Sequence, residues 1–131
     1  MTSVLILLTL PPEVRAQYYD GIRATFPQLR VDMVDHVGKV DPHLPETDVL
    51  ITFGPHLEDR ADHVLRQAPR LKWIQALGTG IDNIVDRPAL RPDVVLTNIH
   101  GIHGPAMSEA ALMAMLALAR DLPRLVRGEP L

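Results

Sequence analysis

The sequence predicts an α/β domain built on a doubly wound, parallel sheet of five strands. Short apolar runs alternate with helical patterns along the whole chain, and proline or glycine follows most of them. The first run, residues 4–10, is continuously apolar, as expected of a strand buried on both faces. Strands that alternate with helices normally pair in parallel through right-handed crossovers, which gives this fold class.

The elements follow one another in a regular order. Strands are expected at 4–10, 29–34, 48–53, 71–77 and 94–97, and helices at 13–26, 57–68, 81–90 and 105–122. Apolar residues recur at helical spacing in the first of these helices, and Pro27 ends it. Residues 35–45 contain glycine and proline and are expected to form a loop. Five strands in this arrangement indicate a flavodoxin-like domain.

Composition restricts the class of function. The chain has 131 residues, a net charge of −3 and no basic cluster, so a nucleic-acid partner is not expected. Cysteine is absent, which excludes disulfides and thiolate catalysis. The first residues do not resemble a signal peptide, and the apolar runs are too short to span a bilayer. We therefore expect a cytoplasmic protein without a membrane partner.

Residues 110–119 are all apolar, which is unusual for the last helix of a small domain. A helix that is apolar on all sides is normally buried on all sides. Either the helix lies deep in its own core, or its remaining face meets another domain, another chain or a membrane surface. The second interpretation is favoured, because a soluble monomer rarely exposes so much apolar surface.

A Gly78-Thr79-Gly80 turn follows the fourth strand, where a dinucleotide-binding fingerprint would lie. Asn83 stands in place of the third glycine, and no acid follows about twenty residues later, so the turn is not interpreted as a nucleotide loop. Backbone N–H groups at such a turn favour a carboxylate or phosphate. An ordinary strand-to-helix turn is the alternative, and the turn by itself favours that alternative.

His56 and His103 follow the third and fifth strands, at the sheet edge where open α/β folds bind ligands. They are candidates for one cleft with the glycine turn, and two solvated loop histidines are an equal alternative. His100 and His103 lack an evident third ligand, so no metal site is expected. The serines lie outside any G-x-S-x-G elbow, which leaves hydrolase chemistry unsupported.

Two segments carry a family resemblance. The first, residues 71–83, reads LKWIQALGTGIDN, and the second, residues 95–123, contains Thr97-Asn98, Ser108-Glu109 and a final ARDLP. In this order they resemble the D-isomer-specific 2-hydroxyacid dehydrogenase family. The resemblance implies the substrate-side domain of an NAD- or NADP-dependent oxidoreductase that interconverts 2-keto acids and D-2-hydroxy acids.

The resemblance also implies roles for individual residues. Backbone N–H groups of the glycine turn would bind the substrate carboxylate, and residues 53–56 would shape the substrate pocket. Glu109 would have a structural role at a domain junction. The implied substrate-binding residues are Gly78, Thr79, Gly80, His56 and His103, and Met107 would lie near the nicotinamide.

The domain organisation follows from the same resemblance. Residues 1–104 would form the flavodoxin-like substrate-binding domain, 105–123 an apolar helix that crosses to an NAD-binding domain, and 124–131 a tail. The family's nucleotide fingerprint, substrate-binding arginine and acid–histidine pair have no counterpart in the sequence. We therefore expect a truncated chain without the NAD-binding domain, without catalytic residues and inactive alone. A homodimer formed through helix 105–122 is also expected.

Two other classes of function remain open from the sequence. One is a non-catalytic module that binds a small carboxylate or a partner protein through the same cleft or helix. The other is a purely structural α/β domain, which predicts no ligand. The sequence selects neither a particular keto acid nor NAD over NADP.

Overall fold

The computed structural model describes residues 1–128, and the chain divides into two compact units at residues 99 and 100. The first unit contains the sheet, and the second contains two helices. The end of the predicted tail, residues 129–131, lies outside the described residues.

The first unit is built on a five-stranded sheet in which every neighbouring pair is parallel. The strand order is β2-β1-β3-β4-β5, so the order reverses between β1 and β3, as in flavodoxin-like sheets. This part of the predicted fold class agrees with the structure. The strands are β1 Ser3–Leu7, β2 Arg30–Val34, β3 Val49–Thr52, β4 Trp73–Ala76 and β5 Val95–Thr97.

Two α-helices connect these strands, α1 Pro12–Thr25 and α2 Ala61–Gln67. Pro12 suits the first turn of α1, because the N–H that it lacks would have no partner within the helix there. The helix expected at 57–68 is split, since Gly54–Arg60 forms a 3₁₀ segment whose Glu58 has a φ of 51°. Two shorter 3₁₀ segments, Val37–Lys39 and Leu44–Glu46, occupy the predicted loop.

The prediction of a helix at 81–90 is wrong. Residues 82–86 form turns, and Asn83 has a φ of 64° in the left-handed region, which an α-helix does not contain. Pro88 also lacks the N–H that a continuing helix would need.

The core lies on both faces of the sheet. One face packs against α2 through fully buried apolar side chains, among them Leu7, Leu50, Ile74, Val64 and Leu65. The other face packs against α1 through Val4, Ile6, Val31 and the half-buried Tyr18 and Ile22. Burial on two faces explains why β1 is apolar after its first residue.

A buried carboxylate lies at the edge of the sheet where the strands begin. Asp48 is 4% exposed and accepts a hydrogen bond from the Ser3 N–H at 2.9 Å. Arg70 lies 3.0 Å away and Lys72 3.8 Å away. The Ser3 N–H is the main cause of a lowered pKa at Asp48, with a further contribution from the Arg70 guanidinium and opposition from burial.

The second unit corrects the predicted end of the chain. The apolar segment forms α3, Gly104–Ala119, and a second short helix follows as α4, Leu122–Val126. Asp121 separates them with a φ of 55°. The predicted C-terminal apolar domain-crossing helix is therefore wrong, because residues 105–122 do not form one long helix. Among residues 1–128, no helix is both long and apolar enough to cross a membrane.

Helix α3 is not buried in a core. None of its side chains is buried, and Met113 and Leu118 are 68% and 71% exposed. The interpretation of a helix lying deep in its own core is therefore excluded.

Candidate functional site

A small cavity lies where β3 and β4 end. Residues 53–58, hereafter the 53–58 loop, follow β3, and residues 78–83, hereafter the 78–83 turn, follow β4. The carboxyl edge of a parallel sheet is where such folds usually bind ligands. The cavity has a volume of about 230 Å³ and is lined by Phe53, Gly54, Pro55, Gly78, Gly80 and Asp82.

The two walls of the cavity touch backbone to backbone. A Cβ atom added to Gly54 would overlap the carbonyl oxygen of Asp82, well inside the 3.0 Å that real Cβ atoms keep. The same atom would lie 3.8 Å from Ile84, which is fully buried in the core. Only glycine therefore fits at position 54 in this arrangement.

Asn83 joins the same two walls through its side chain. Its Nδ2 donates to the carbonyl oxygens of Gly54 at 3.0 Å and of Glu58 at 2.9 Å. Both Asn83 and Glu58 have positive φ angles. Asparagine tolerates this conformation better than most residues, which lets its side chain turn towards the neighbouring loop.

The glycine turn presents free backbone donors. The Gly78 carbonyl accepts from the Ile99 N–H at 3.2 Å, and the Thr79 carbonyl accepts from the side chain of Asn98 at 2.6 Å. The Thr79 hydroxyl donates to the Ile99 carbonyl at 2.9 Å. Within residues 1–128, however, the N–H groups of Gly78, Thr79 and Gly80 donate to no protein acceptor. The turn is held by its carbonyl and hydroxyl groups, which leaves these donors for a ligand or water.

The two glycines of the turn are not required by its backbone. Neither Gly78 nor Gly80 has a left-handed φ. A Cβ at Gly78 would meet the Phe53 ring at 3.6 Å, and one at Gly80 would meet the Asp82 carboxylate at 3.5 Å, both ordinary contacts. The absence of side chains at these positions keeps the backbone donors and the cavity accessible.

His56 lies beside the cavity and not in its lining. Its Nδ1 accepts from the Thr9 N–H at 3.3 Å, and its ring packs edge-on to Phe53 at 5.1 Å between centroids. His56 therefore joins the chain after β1 to the 53–58 loop and supports the Phe53 wall.

His103 and Met107 belong to the second unit. His103 immediately precedes α3, and Met107, which is 66% exposed, lies in the first turn of that helix. The Met107 N–H donates to the His103 carbonyl at 2.9 Å.

The free N–H groups beside the cavity suit a small anion, which they would have to hold against the negative charge of Asp82, and the cavity suits neither a dinucleotide nor a metal. A cavity of about 230 Å³ is smaller than those that usually hold drug-sized ligands. Turns follow β4, so this site lacks the helix N-terminus on which a pyrophosphate normally lies. Within residues 1–128 there is also no group of three acids or histidines that could hold a metal ion. This cavity therefore does not fit NAD.

Known proteins resemble this chain in sequence over somewhat more than half of its length. No family model matches it. Hydroxypyruvate reductase of Thermotoga maritima is 33% identical over 81 residues, which are 62% of this chain and 26% of that protein. Glyoxylate reductase of Aeropyrum pernix is 38% identical over 76 residues, 57% of this chain and 22% of that protein. The chain thus spans about a quarter of the length of the curated relatives that it matches.

Solved structures extend the similarity. A D-isomer specific 2-hydroxyacid dehydrogenase family protein from Aeromonas salmonicida has a TM-score of 0.80 and 27% identity, covering 99% of this chain and 41% of that one. An NAD-dependent formate dehydrogenase from Staphylococcus aureus, solved with NAD, has a TM-score of 0.73 and 20% identity, covering 99% of this chain and 43% of that one. The second comparison shows the fold alone.

The fold and the cavity define a flavodoxin-like α/β domain with an open site at the carboxyl edge of its sheet. By sequence and by fold, this chain is related to the D-isomer-specific 2-hydroxyacid dehydrogenases, and the resemblance noted in its sequence is confirmed. The proteins that it matches are oxidoreductases.

Proposed function

We propose that this chain forms the substrate side of an NAD- or NADP-dependent oxidoreductase that interconverts 2-keto acids and D-2-hydroxy acids. The observation that supports this most directly is the set of unused N–H donors at Thr79 and Gly80, beside the small cavity. A carboxylate accepts two such donors in charge-assisted hydrogen bonds, which are about twice as strong as neutral ones. The carboxylate of the keto acid would bind there.

The cavity lining also indicates which keto acids would fit. Phe53 and Pro55 form an apolar wall, and the lining contains no arginine or lysine to pair with a second anionic group. A short, uncharged substituent suits a cavity of about 230 Å³. Glyoxylate and hydroxypyruvate, named in the relatives, are acids of this size.

Hydride transfer would need more than the residues described here. It requires a nicotinamide held against the substrate and a general acid for the carbonyl oxygen. The cavity does not fit the cofactor, so we propose that residues outside this chain supply most of the cofactor site and that the chain alone has no turnover. Steady consumption of NADH with glyoxylate by the purified chain would refute this.

The roles of two residues rest on the family resemblance. We propose that His103 contacts the substrate and Met107 the cofactor, in a cytoplasmic enzyme. The His103→Gln and Met107→Ala variants test this in a mixture with the dinucleotide-binding domain of a relative. There, His103→Gln should weaken binding of the acid, and Met107→Ala should weaken binding of NADH alone. The opposite pattern would exchange the two assignments.

Carboxylate binding can be tested directly by amide NMR. Addition of D-lactate should shift the resonances of Thr79 and Gly80, whereas lactamide, which has nearly the same size and no charge, should not. Equal shifts with both compounds would show that the site does not recognise the carboxylate. An NADH titration followed through Trp73, the only tryptophan in the sequence, should show no saturable binding.

Self-association through α3 is a further part of the proposal. Leu112, Met113 and Leu116 are each more than half exposed and line an apolar groove between α3 and α4. A second copy could cover this surface in a symmetric dimer. Light scattering after size exclusion should give twice the monomer mass. Leu116→Glu should produce monomers, and Leu118→Glu, on another side of α3, should not. A wild-type monomer would contradict the proposal.

Carboxylate binding without turnover is the second candidate function. It is favoured by the fact that the cavity is lined entirely by residues of the first unit. The two functions differ in their response to the cofactor. A pure binding module should bind D-lactate equally well with and without NADH, even when a dinucleotide-binding domain of a relative is added. Cofactor-dependent tightening in that mixture would favour the oxidoreductase.

A further inference from the structure

A single side chain supplies the hydrogen bonds between the walls of the cavity. Within residues 1–128, the hydrogen bonds between the 53–58 loop and the 78–83 turn both come from the amide of Asn83. One bond reaches Gly54, at the start of the loop, and the other reaches Glu58, at its end. The two N–H bonds of the amide therefore fix both ends of the same five-residue segment.

The segment that Asn83 holds needs such support. Glu58 has a φ of 51° and a ψ of −134°, a conformation that non-glycine residues adopt only when their surroundings impose it. The carbonyl of Glu58 is one of the two acceptors of the Asn83 amide. The side chains of Phe53 and Pro55, which face the glycine turn across the cavity, belong to this strained loop.

We propose that Asn83 is a positioning residue that sets the width of the cavity and thereby its preference for small 2-keto acids. This inference rests on the proposed function. If the amide is lost, the 53–58 loop can move away from the 78–83 turn and the cavity becomes wider. A small acid then loses contact with Phe53 and Pro55, whereas an acid with a larger side chain gains room. Asn83 touches no reacting atom in this proposal and acts through the loop.

Two variants and one control separate the amide from the backbone conformation. Asn83→Gly keeps the left-handed φ and removes both donors, so it should fold. Asn83→Asp keeps the size of the side chain. It replaces the donor nitrogen by an oxygen, which repels the carbonyl oxygens of Gly54 and Glu58. Arg60→Met is the control, because Arg60 bonds Val37 and Asp41 from the same 3₁₀ segment without bridging the cavity.

The first measurement tests, without any ligand, whether the two hydrogen bonds of Asn83 hold the 53–58 loop in place. We call these two bonds the clamp. The His56 N–H donates to the Phe53 carbonyl at 3.0 Å within the 53–58 loop, so its hydrogen exchange reports on opening of that loop. We expect exchange at His56 to rise at least about tenfold in both Asn83 variants, and not in Arg60→Met. Exchange at Leu77, which bonds Thr52 in the core, should not change. Unchanged exchange at His56 would overturn the inference.

The second measurement tests the preference for small acids. Calorimetric titration with pyruvate and with 4-methyl-2-oxopentanoate gives a ratio of two dissociation constants. We expect Asn83→Gly to shift this ratio about tenfold towards the larger acid, and Arg60→Met to leave it unchanged. Equal weakening of both acids would show a merely structural role and overturn the inference. If the wild-type chain bound neither acid, the proposed function would fail, and the exchange at His56 would still decide whether the clamp exists.

Discussion

Replacing Gly54 by alanine tests the closest approach in the candidate site. The new methyl group would overlap the carbonyl oxygen of Asp82. Both groups are attached directly to the backbone, so rotation of a side chain cannot relieve the overlap. The two loops would have to separate by roughly 1 Å to restore an ordinary contact. That movement would break the bonds from Asn83, now 3.0 and 2.9 Å long, and would disturb the buried Ile84.

The free-energy cost can be worked out from these contacts. Two hydrogen bonds contribute about 2 kcal/mol, and repacking around Ile84 adds about 1 kcal/mol. A loss of about 3 kcal/mol in a chain of this length corresponds to a drop of about 10 °C in Tm. Urea unfolding followed by far-UV circular dichroism measures the free energy, and a thermal scan measures the Tm.

Gly78→Ala is the matched control, because its methyl would meet the Phe53 ring of the opposite wall at an ordinary 3.6 Å. It should change the free energy of unfolding by less than about 0.5 kcal/mol. If Gly54→Ala were as stable as the wild type, or if both variants lost the same amount, the close approach of the loops would not be a feature of the protein.

Three further variants test separate features. Gly80→Ala should weaken binding of D-lactate at least about tenfold in a calorimetric titration, because the methyl would take up space in the cavity that Gly80 lines. The Tm should not change, since the methyl would meet the Asp82 carboxylate at an ordinary 3.5 Å, and unchanged affinity would count against the site. Gly21 lies in the interior of α1, and a methyl group there would meet open space. Gly21→Ala should therefore raise the free energy of unfolding, measured in urea, by about 0.5–1 kcal/mol. A lower free energy of unfolding would show that the helix does not leave this position open. Asp48→Asn should lower the free energy of unfolding by about 1–2 kcal/mol at neutral pH. Because the folded-state pKa of Asp48 lies below the usual 3.8, the stabilisation is complete above that pH and is lost as the pH falls through the lower value. The difference from the wild type should therefore shrink in acid, and a difference that does not depend on pH would refute the role of the charge.

The strands could be predicted because their signal is local. A run of apolar residues at the start of the chain indicates a strand buried on both faces, and all five residues of β1 are buried. The strand limits differ from the prediction by at most three residues, and the predicted last residues of β2 and β5 agree with the structure. Parallel pairing then follows from the alternation of strands with connecting segments.

The predicted helix at 81–90 failed because distant contacts determine that segment. Asn83 has a left-handed φ, and its side chain bonds carbonyl groups 25 and 29 residues earlier in the chain. No periodicity within the segment contains this information. The predicted end of the last helix is wrong for a local reason, since Asp121 has a left-handed φ and begins the separate short helix α4.

The candidate site could be predicted in part. The glycine turn and its place at the carboxyl edge follow from the motif and the topology. The opposite wall could not be predicted, because the approach of Gly54 to Asp82 joins two segments that are ordinary loops when considered alone. In the sequence, Asn83 is notable because it stands in place of the third glycine of a nucleotide-binding fingerprint. Its two bonds to the 53–58 loop depend on the fold and could not be predicted.

The contact between the two loops has a consequence for protein engineering. A loop graft that replaced residues 53–58 alone would have to keep glycine at its second position and carbonyl groups within reach of Asn83. A graft of residues 78–83 alone would remove the donor for the loop that remained. The two segments should therefore be transplanted together as one cassette from a single donor protein. The charged anchor around Asp48, at the opposite edge of the sheet, can stay with the recipient scaffold.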